Sequence, residues 1–558
     1  MIEKLDFVSS DDRITKYILP KKILRKQGMV TNEAAILMKQ DLQIAISETD
    51  CIEFKNEDQS ENAAILLDFG TEFSGGIRIL TEFCSGSPTP LFQITFGESA
   101  GEAISSVGFK NATNDHSVRD MTVRLTMLSD MEFGQTGFRF VQLKLLEKNT
   151  KVRIKSVLGA FTYRDIEYKG SFLSNDARLN EIYNVCAYTC HLNMQNMLWD
   201  GIKRDRLVWI GDMHPEMLTI RTVFGADRCI EQGLNHSMKQ YPLPGYPNGM
   251  VTYAMWWIII AYDWYFYTGN NAFITKARQY ILGLLRLLCQ YVNEDGTDTL
   301  GDIENGYFLD WPTLGTKEAI SGVRALFGAA LHKGSMLCDI LGETVLSNLC
   351  REKEKALANF VPSEYYSKAP AAMMVLSGQL DAQKAAKEVL LTNNSVGMST
   401  FLSYYILSAL AEADRTDAAL NILKEYYGGM LDAGATTFWE DFQPEWIKEG
   451  FSLDHIPANG EYDIHGDNGA FCYKGYRHSL CHGWSSAPTA FLAERVLGIQ
   501  IMSAGCKKIR ISPNLGELQW AKGTYPTPFG IITVSHVKQT DGSIKTDFSL
   551  PPEIELVK

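Results

Sequence analysis

Apolar and polar positions alternate in short runs over the first 170 residues. Residues 64–70, 76–80, 92–96 and 138–145 read as strands separated by Gly, Ser, Asn and Asp turns, the pattern of a β-sandwich. From Ser174-Asn175-Asp176 onward the period becomes helical. Asp176 or Ser174 can cap a helix whose apolar positions include Leu179, Ile182, Tyr183, Cys186 and Tyr188. Residues 281–292 predict a core helix, as do 323–341, 382–391, 400–412 and 418–427. Many ordinary helices joined by short turns predict helical hairpins, and periodicity alone leaves a solenoid and a closed barrel both open. After about Ala504 strands return, at 508–511, 530–534 and 543–548, and predict a second, smaller sandwich. The expected domains are therefore 1–170, 171–503 and 504–558.

Composition narrows the function classes. A chain of 558 residues is too long for one ordinary domain, and 45% hydrophobic residues can fill large cores. A net charge of −13 argues against nucleic acid or an anionic membrane as partner. With 10 Trp and 24 Tyr the chain is aromatic enough to suit carbohydrate binding. The 11 Cys form no CxxC pair and no zinc spacing, so no metal and no cofactor is expected, and free thiols in a reducing compartment are. Met1–Phe7 carries no basic-then-apolar leader, and the longest apolar run, 254–267, contains Asp263 and is too short for a span. A cytoplasmic protein is expected, with its oligomeric state unspecified.

Chemistry concentrates between Trp199 and Glu216. This segment packs carboxylates, bases and two indoles together. Such density is costly to bury unless the groups pair with one another or with a ligand. It also suits a sugar site, where carboxylates bind hydroxyls and move protons, Arg orients them and Trp covers a pyranose face. A solvated charged turn is the plainer alternative. A second cluster, Gly434 to Phe442, sets Glu440 beside Trp439; Thr437 and Glu440 also fit a helix-capping box. Trp311 precedes Pro312, and a buried Trp before a turn competes there with a pocket wall. Trp256-Trp257 opens the most aromatic helix, with one indole expected at a site mouth and the other in the core, Trp256 being the first choice for the mouth. Cys481 and His482 are adjacent, seldom face each other, and lack an oxyanion-hole motif, so a thiol nucleophile is set aside.

Asp200, Arg204, Arg206, Trp209, Gly211 and Asp212 fall in register with the signature Asp-Cys-Pro-x-Arg-(Asp)-Glu-Arg-x-Gly-Trp-x-Gly-Asp, and the chain resembles the bacterial α-L-rhamnosidases, glycoside hydrolase family 78. Gly201-Ile202 replaces Cys-Pro, and Asp205 stands where the family has its general-acid Glu. Residues 434–440 resemble the family's Gly-x-Thr-x-x-Trp-Glu motif, residues 308–312 its Gly-Asp-Trp loop with Leu309 in place of Gly, and His482 holds the place of its pocket His. Leu67-Asp68-Phe69-Gly70, Gly97-Glu98 and Gly137-Phe138-Arg139-Phe140 resemble the preceding sandwich; residues 520–524 and 526–530 resemble the C-terminal module.

The resemblance implies a multidomain α and β fold: an (α/α)6 barrel catalytic domain flanked by an N-terminal β-sandwich and a smaller C-terminal β-sandwich. It implies an inverting exo-glycosidase acting on L-rhamnose-containing glycosides, with Glu440 as general base and Asp205 as general acid. Glu216 is the reserve acid, one helical turn beyond Asp212. Asp200, Arg204, Asp212 and His482 are expected to hold the sugar, and Trp209, Trp256, Trp257, Trp311, Trp439 and Trp484 to wall it. Another six-hairpin carbohydrate-active enzyme, or a non-catalytic carbohydrate-binding protein, remains the alternative.

Overall fold

The computed structural model describes residues 11–47, 49–448 and 450–557. The Met1–Phe7 stretch read above for a leader lies outside them. The N-terminal part is a nine-stranded antiparallel sheet bent into a sandwich. Its bends come from long strands with register shifts. Ala64–Ser85 pairs with Lys22–Gln27, Ser129–Leu145 and Thr150–Arg164, and slips register after Asp68 and again after Gly75. At Gly75 φ is +152°, and a Cβ would lie 1.9 Å from the Ala160 carbonyl, so only glycine fits that crossing. Between the layers, Phe54, Phe69, Phe73, Phe92, Phe96 and Phe138 are buried, largely in edge-to-face contacts.

The helical part begins at Ala177–Asn193, capped by Asp176, whose carboxylate accepts from the Arg178 and Leu179 amides. It continues through Ile210–Val223, Arg228–Gln240, Val251–Thr268, Arg278–Gln290, Lys317–Ile340, Thr344–Asn359, Lys368–Leu376, Ser403–Glu412 and Thr416–Asp432. These helices share one continuous core and form the helical hairpin barrel of a multidomain α and β fold. The helix expected over 382–391 is a single α turn, Ala382–Ala385, followed by a π turn, Ala386–Leu390. The C-terminal part has a four-stranded and a three-stranded sheet. One strand of the former, Ser171–Ser174, comes from before the helices and pairs with Trp520–Thr527. Four residues are too few to announce a strand by alternation.

The sandwich grips the helical part through its motifs. Arg139 binds Asp68 through two hydrogen bonds of 2.8 and 2.9 Å and donates a third, 2.9 Å, to the Gly434 carbonyl. A Cβ at Gly137 would lie 2.5 Å from the Ile202 side chain, so this glycine lets the chemistry-bearing 199–216 segment dock on the sheet. No helix among the described residues is long and apolar enough to cross a membrane. Among the described residues no disulfide is formed, and nine of the eleven cysteines are buried.

Candidate active site

A pocket of about 390 Å³ opens at one end of the helical part. Its walls include Asp200, Arg204, Asp205, Trp209, Asp212, Trp311, Glu440, His482 and Trp484. The 199–209 segment reaches it as an irregular loop ahead of helix Ile210–Val223. Asp200 holds that loop closed, accepting from the Leu207 amide at 2.9 Å and the Asp205 amide at 3.2 Å. The loop turns at Arg206, where φ is +64°, and the Arg206 guanidinium lies 4.7 Å from the centre of the Trp199 ring.

Arg204 is the hinge of the charge arrangement. Its Nη2 lies 2.5 Å from both oxygens of Glu440, and its Nη1 donates to Asp205 at 3.1 Å. Burial alone would lower the Arg204 pKa; Glu440 and Asp205 more than offset this and hold it above its usual value. On its outer side Asp205 also meets His116 of the N-terminal sandwich at 3.3 Å. Glu440 comes from a coil, not a helix terminus, so the capping-box reading is replaced: Thr437 donates instead to the Leu480 carbonyl at 2.7 Å. The Glu440 carbonyl accepts from the Trp484 indole at 3.0 Å and the Thr400 hydroxyl at 2.6 Å, while the Ser479 amide donates to its carboxylate at 3.3 Å.

His482 stands among three carboxylates, its Nε2 3.8 Å from Asp200 and Asp212 and 3.9 Å from Glu440. Burial, then the charge of Arg204, pushes its pKa well down, so the ring is neutral. Burial also pushes Asp212 well above the usual carboxylate range, with Asp200 adding to the shift; Asp200 is raised likewise by burial and then by Asp205. The indole of Trp484 is stacked on Phe401, ring centres 4.9 Å apart. Trp311 is stacked on the half-exposed Phe471 at 5.9 Å.

Four expected residues lie off the pocket. Glu216 shares the helix with Asp212, but its carboxyl is buried against Gly483. Trp256 packs on His214 and Tyr405 and faces a separate cavity with Asp263 and Lys333. Trp257 packs on Phe273 and Tyr280 in the core. Trp439 turns inward onto Phe442 and His478. On helix Val251–Thr268 it is Tyr253 that reaches the pocket; a turn advances about 5.4 Å, which carries the two indoles past the rim. Tyr253, Cys472 and His116 had no sequence signal, since each is placed by a fold contact and not by a motif, while Phe308 opens the 308–312 motif without having been singled out as a pocket residue.

Comparison with known proteins agrees with this architecture. Residues 167–333 match the bacterial alpha-L-rhamnosidase 6 hairpin glycosidase domain, and residues 498–557 match the bacterial alpha-L-rhamnosidase C-terminal domain. An alpha-L-rhamnosidase of Alteromonas sp. (strain LOR) is 24% identical over 471 residues, 75% of this chain and 48% of its own length. The chain thus spans about half the length of that curated relative. The GH78 family rhamnosidase of Bacillus sp. GL1 superposes with a TM-score of 0.74 and 21% identity, over 94% of this chain and 55% of that one. The Streptomyces avermitilis alpha-L-rhamnosidase complexed with L-rhamnose gives 0.69 and 16%, over 98% and 50%. The Klebsiella oxytoca rhamnosidase with rhamnose bound gives 0.64 and 17%, over 86% and 96%. In its helical domain, its C-terminal domain and its overall fold, the chain resembles the bacterial α-L-rhamnosidases of glycoside hydrolase family 78.

Proposed function

We propose that this chain is an inverting exo-α-L-rhamnosidase, with Glu440 as general base and Asp205 as general acid. The observation that carries the reading is the bridge through Arg204. One guanidinium binds Glu440 on one nitrogen and Asp205 on the other, inside a pocket walled by Trp209, Trp311 and Trp484. Inversion needs an acid and a base about 6.5–9.5 Å apart on opposite faces of the sugar, and Glu440 and Asp205, held on separate nitrogens of Arg204, are read as that pair. Asp200, Asp212, Arg204 and His482 then bind the hydroxyls of the terminal rhamnose. Burial raises Asp200 and Asp212 well above the usual carboxylate range, which favours the protonated form that can donate as well as accept. Three domains, divided near residues 170 and 503, make up the chain, and L-rhamnose-containing glycosides are the substrates of this site.

A second reading of the acid has one observation in its favour. Asp212 lines the pocket and burial raises its pKa well above the usual carboxylate range, towards the protonated state a general acid needs before reaction. Asp205, at 19% side-chain exposure against 5% for Asp212, lies nearer solvent, the side on which an exo-enzyme releases its leaving group. Hydrolysis of aryl α-L-rhamnosides by the purified protein tests the function. No sugar release would reduce the site to a binding pocket.

A further inference from the structure

Below the pocket, between sandwich and barrel, lies a buried ionic cluster outside the reacting groups. Glu98, Glu102 and His465 offer ligand atoms all within 4.8 Å of one another, a spacing that could hold a metal ion. The cluster meets two buried cations, Arg119, 3.8 Å from Glu102, and Lys203, the residue before Arg204. Its ammonium lies 2.7 Å from Glu98 and 3.4 Å from both oxygens of Glu102. It also donates to the carbonyls of Tyr476 at 2.9 Å and His478 at 2.6 Å. Glu98 accepts from the Leu480 amide at 2.8 Å, and His465 donates from Nε2 to the His478 carbonyl at 3.0 Å. Lys203, Glu98, Glu102 and His465 are each 6% exposed or less, so these contacts are shielded from water.

Two arms of this web end on segments that touch Glu440. Lys203 is covalently next to Arg204, which holds both Glu440 oxygens. Residues 476–480 include Ser479, whose amide donates to Glu440 and whose carbonyl accepts from the Glu440 amide at 3.0 Å. We propose that Lys203, clamped by Glu98 and Glu102 of the N-terminal sandwich, is a positioning residue for the base: it fixes the 203–204 and 476–480 segments, so that Arg204 and Ser479 present Glu440 to the attacking water. The sandwich is then part of the catalytic apparatus through two glutamates that never meet substrate. The ammonium does here what a bound metal would do elsewhere. This inference rests on the rhamnosidase reading of the site.

The test uses the full chain and the double variant Lys203→Met/Glu98→Gln. Removing Lys203 alone would leave Glu98 and Glu102 short of a cation, whereas replacing Lys203 and Glu98 together by neutral groups of similar shape leaves Glu102 facing Arg119 and spares the fold. The double variant is expected to melt near the parent and to bind with little change in KM. Its kcat should fall roughly 100-fold, the scale of a misplacement of about 1 Å. The loss should be equal on nitrophenyl and dinitrophenyl α-L-rhamnosides, because the base acts on water and not on the leaving group. Should the double variant be too unstable to purify, Glu98→Gln alone, whose amide oxygen still accepts from Leu480, is read in the same way. A folded variant with parental kcat overturns the inference alone, and a loss confined to the poorer leaving group overturns the route through Glu440. One divalent ion per chain in the purified parent, absent from Glu98→Gln, would overturn Lys203 as the cation that Glu98 binds. A parent protein that cleaves no rhamnoside overturns the reading of the site, and this inference with it.

Discussion

Arg204 holds Glu440 by both carboxylate oxygens, each 2.5 Å from the same terminal nitrogen, although 236 residues separate the two. Both are about 4% exposed. Without Arg204 the Glu440 carboxylate would be a buried charge with no cation, at a cost on the order of 3–5 kcal/mol, whereas Arg204 without Glu440 keeps Asp205. The pair therefore couples the folding of two distant loops to the formation of the site.

Glu440→Gln is expected to lower kcat on the order of 10³-fold while L-rhamnose binding is kept, since an amide cannot take a proton from water. Steady-state kinetics and calorimetric rhamnose binding read this out. Parental turnover in the folded variant would remove Glu440 from the mechanism.

Asp205→Asn should cripple rhamnosides with poor leaving groups and spare dinitrophenyl rhamnoside, which needs little protonation. Asp205→Glu should remain active. If Asp212→Asn instead shows the leaving-group-dependent loss, and Asp205→Asn loses both substrates equally, the acid is Asp212.

Water attacking opposite the leaving group releases β-L-rhamnose first from an α-L-rhamnoside. Proton NMR of the first minutes of reaction distinguishes the anomers. Early α-anomer means retention, and overturns both role assignments.

Burial, with Asp310 adding to it, raises the Asp441 pKa from 3.8 to about 7. Between those values the folded chain keeps a proton that the unfolded chain has released. This carboxyl thus favours folding at acid pH, and the benefit fades as pH rises through about 7. Asp441→Asn, which never ionises, should melt a few degrees above the parent at pH 8 and level with it near pH 4. An advantage that does not grow with pH would show that Asp441 ionises freely in the folded state.

Gly483→Ala should be destabilising by roughly 1–3 kcal/mol through overpacking. Its Cβ would lie 1.7 Å from Glu216 Oε1, while its amide is tied to the Asp200 carbonyl at 2.7 Å. The double variant Glu216→Ala/Gly483→Ala should melt above Gly483→Ala alone. A single variant that melts like the parent would mean that Glu216 swings aside at no cost.

The chain's periodicities were enough to place strands before about residue 170, helices through the middle and strands again at the end. Each is a local consequence of which side chains face a core, at period 2 or 3.6. The same holds for the cap at Asp176 and for the density of charge and indole at 199–216, where a motif is continuous along the chain. The strand Ser171–Ser174 and the π turn at Ala386–Leu390 were not legible, because the first exists only through its pairing with Trp520–Thr527 and the second is a local distortion of a helical pattern.

Among the site residues, the sequence by itself named Asp205, Glu440, Arg204, Trp311 and His482, which the structure brings to one pocket. Only the tertiary structure decided which neighbours of these share it. Glu216 and Asp212 stand one turn apart on the same helix, yet one is sealed behind Gly483 and the other lines the pocket. Tyr253 takes the wall expected of Trp256, and Lys203 meets Glu98 and Glu102 from another domain. A motif records residue types and their spacing along the chain. Which face of a helix looks into a cavity, and which charge neutralises which, follows from helix rotation and domain docking, and these are set by packing between segments hundreds of residues apart.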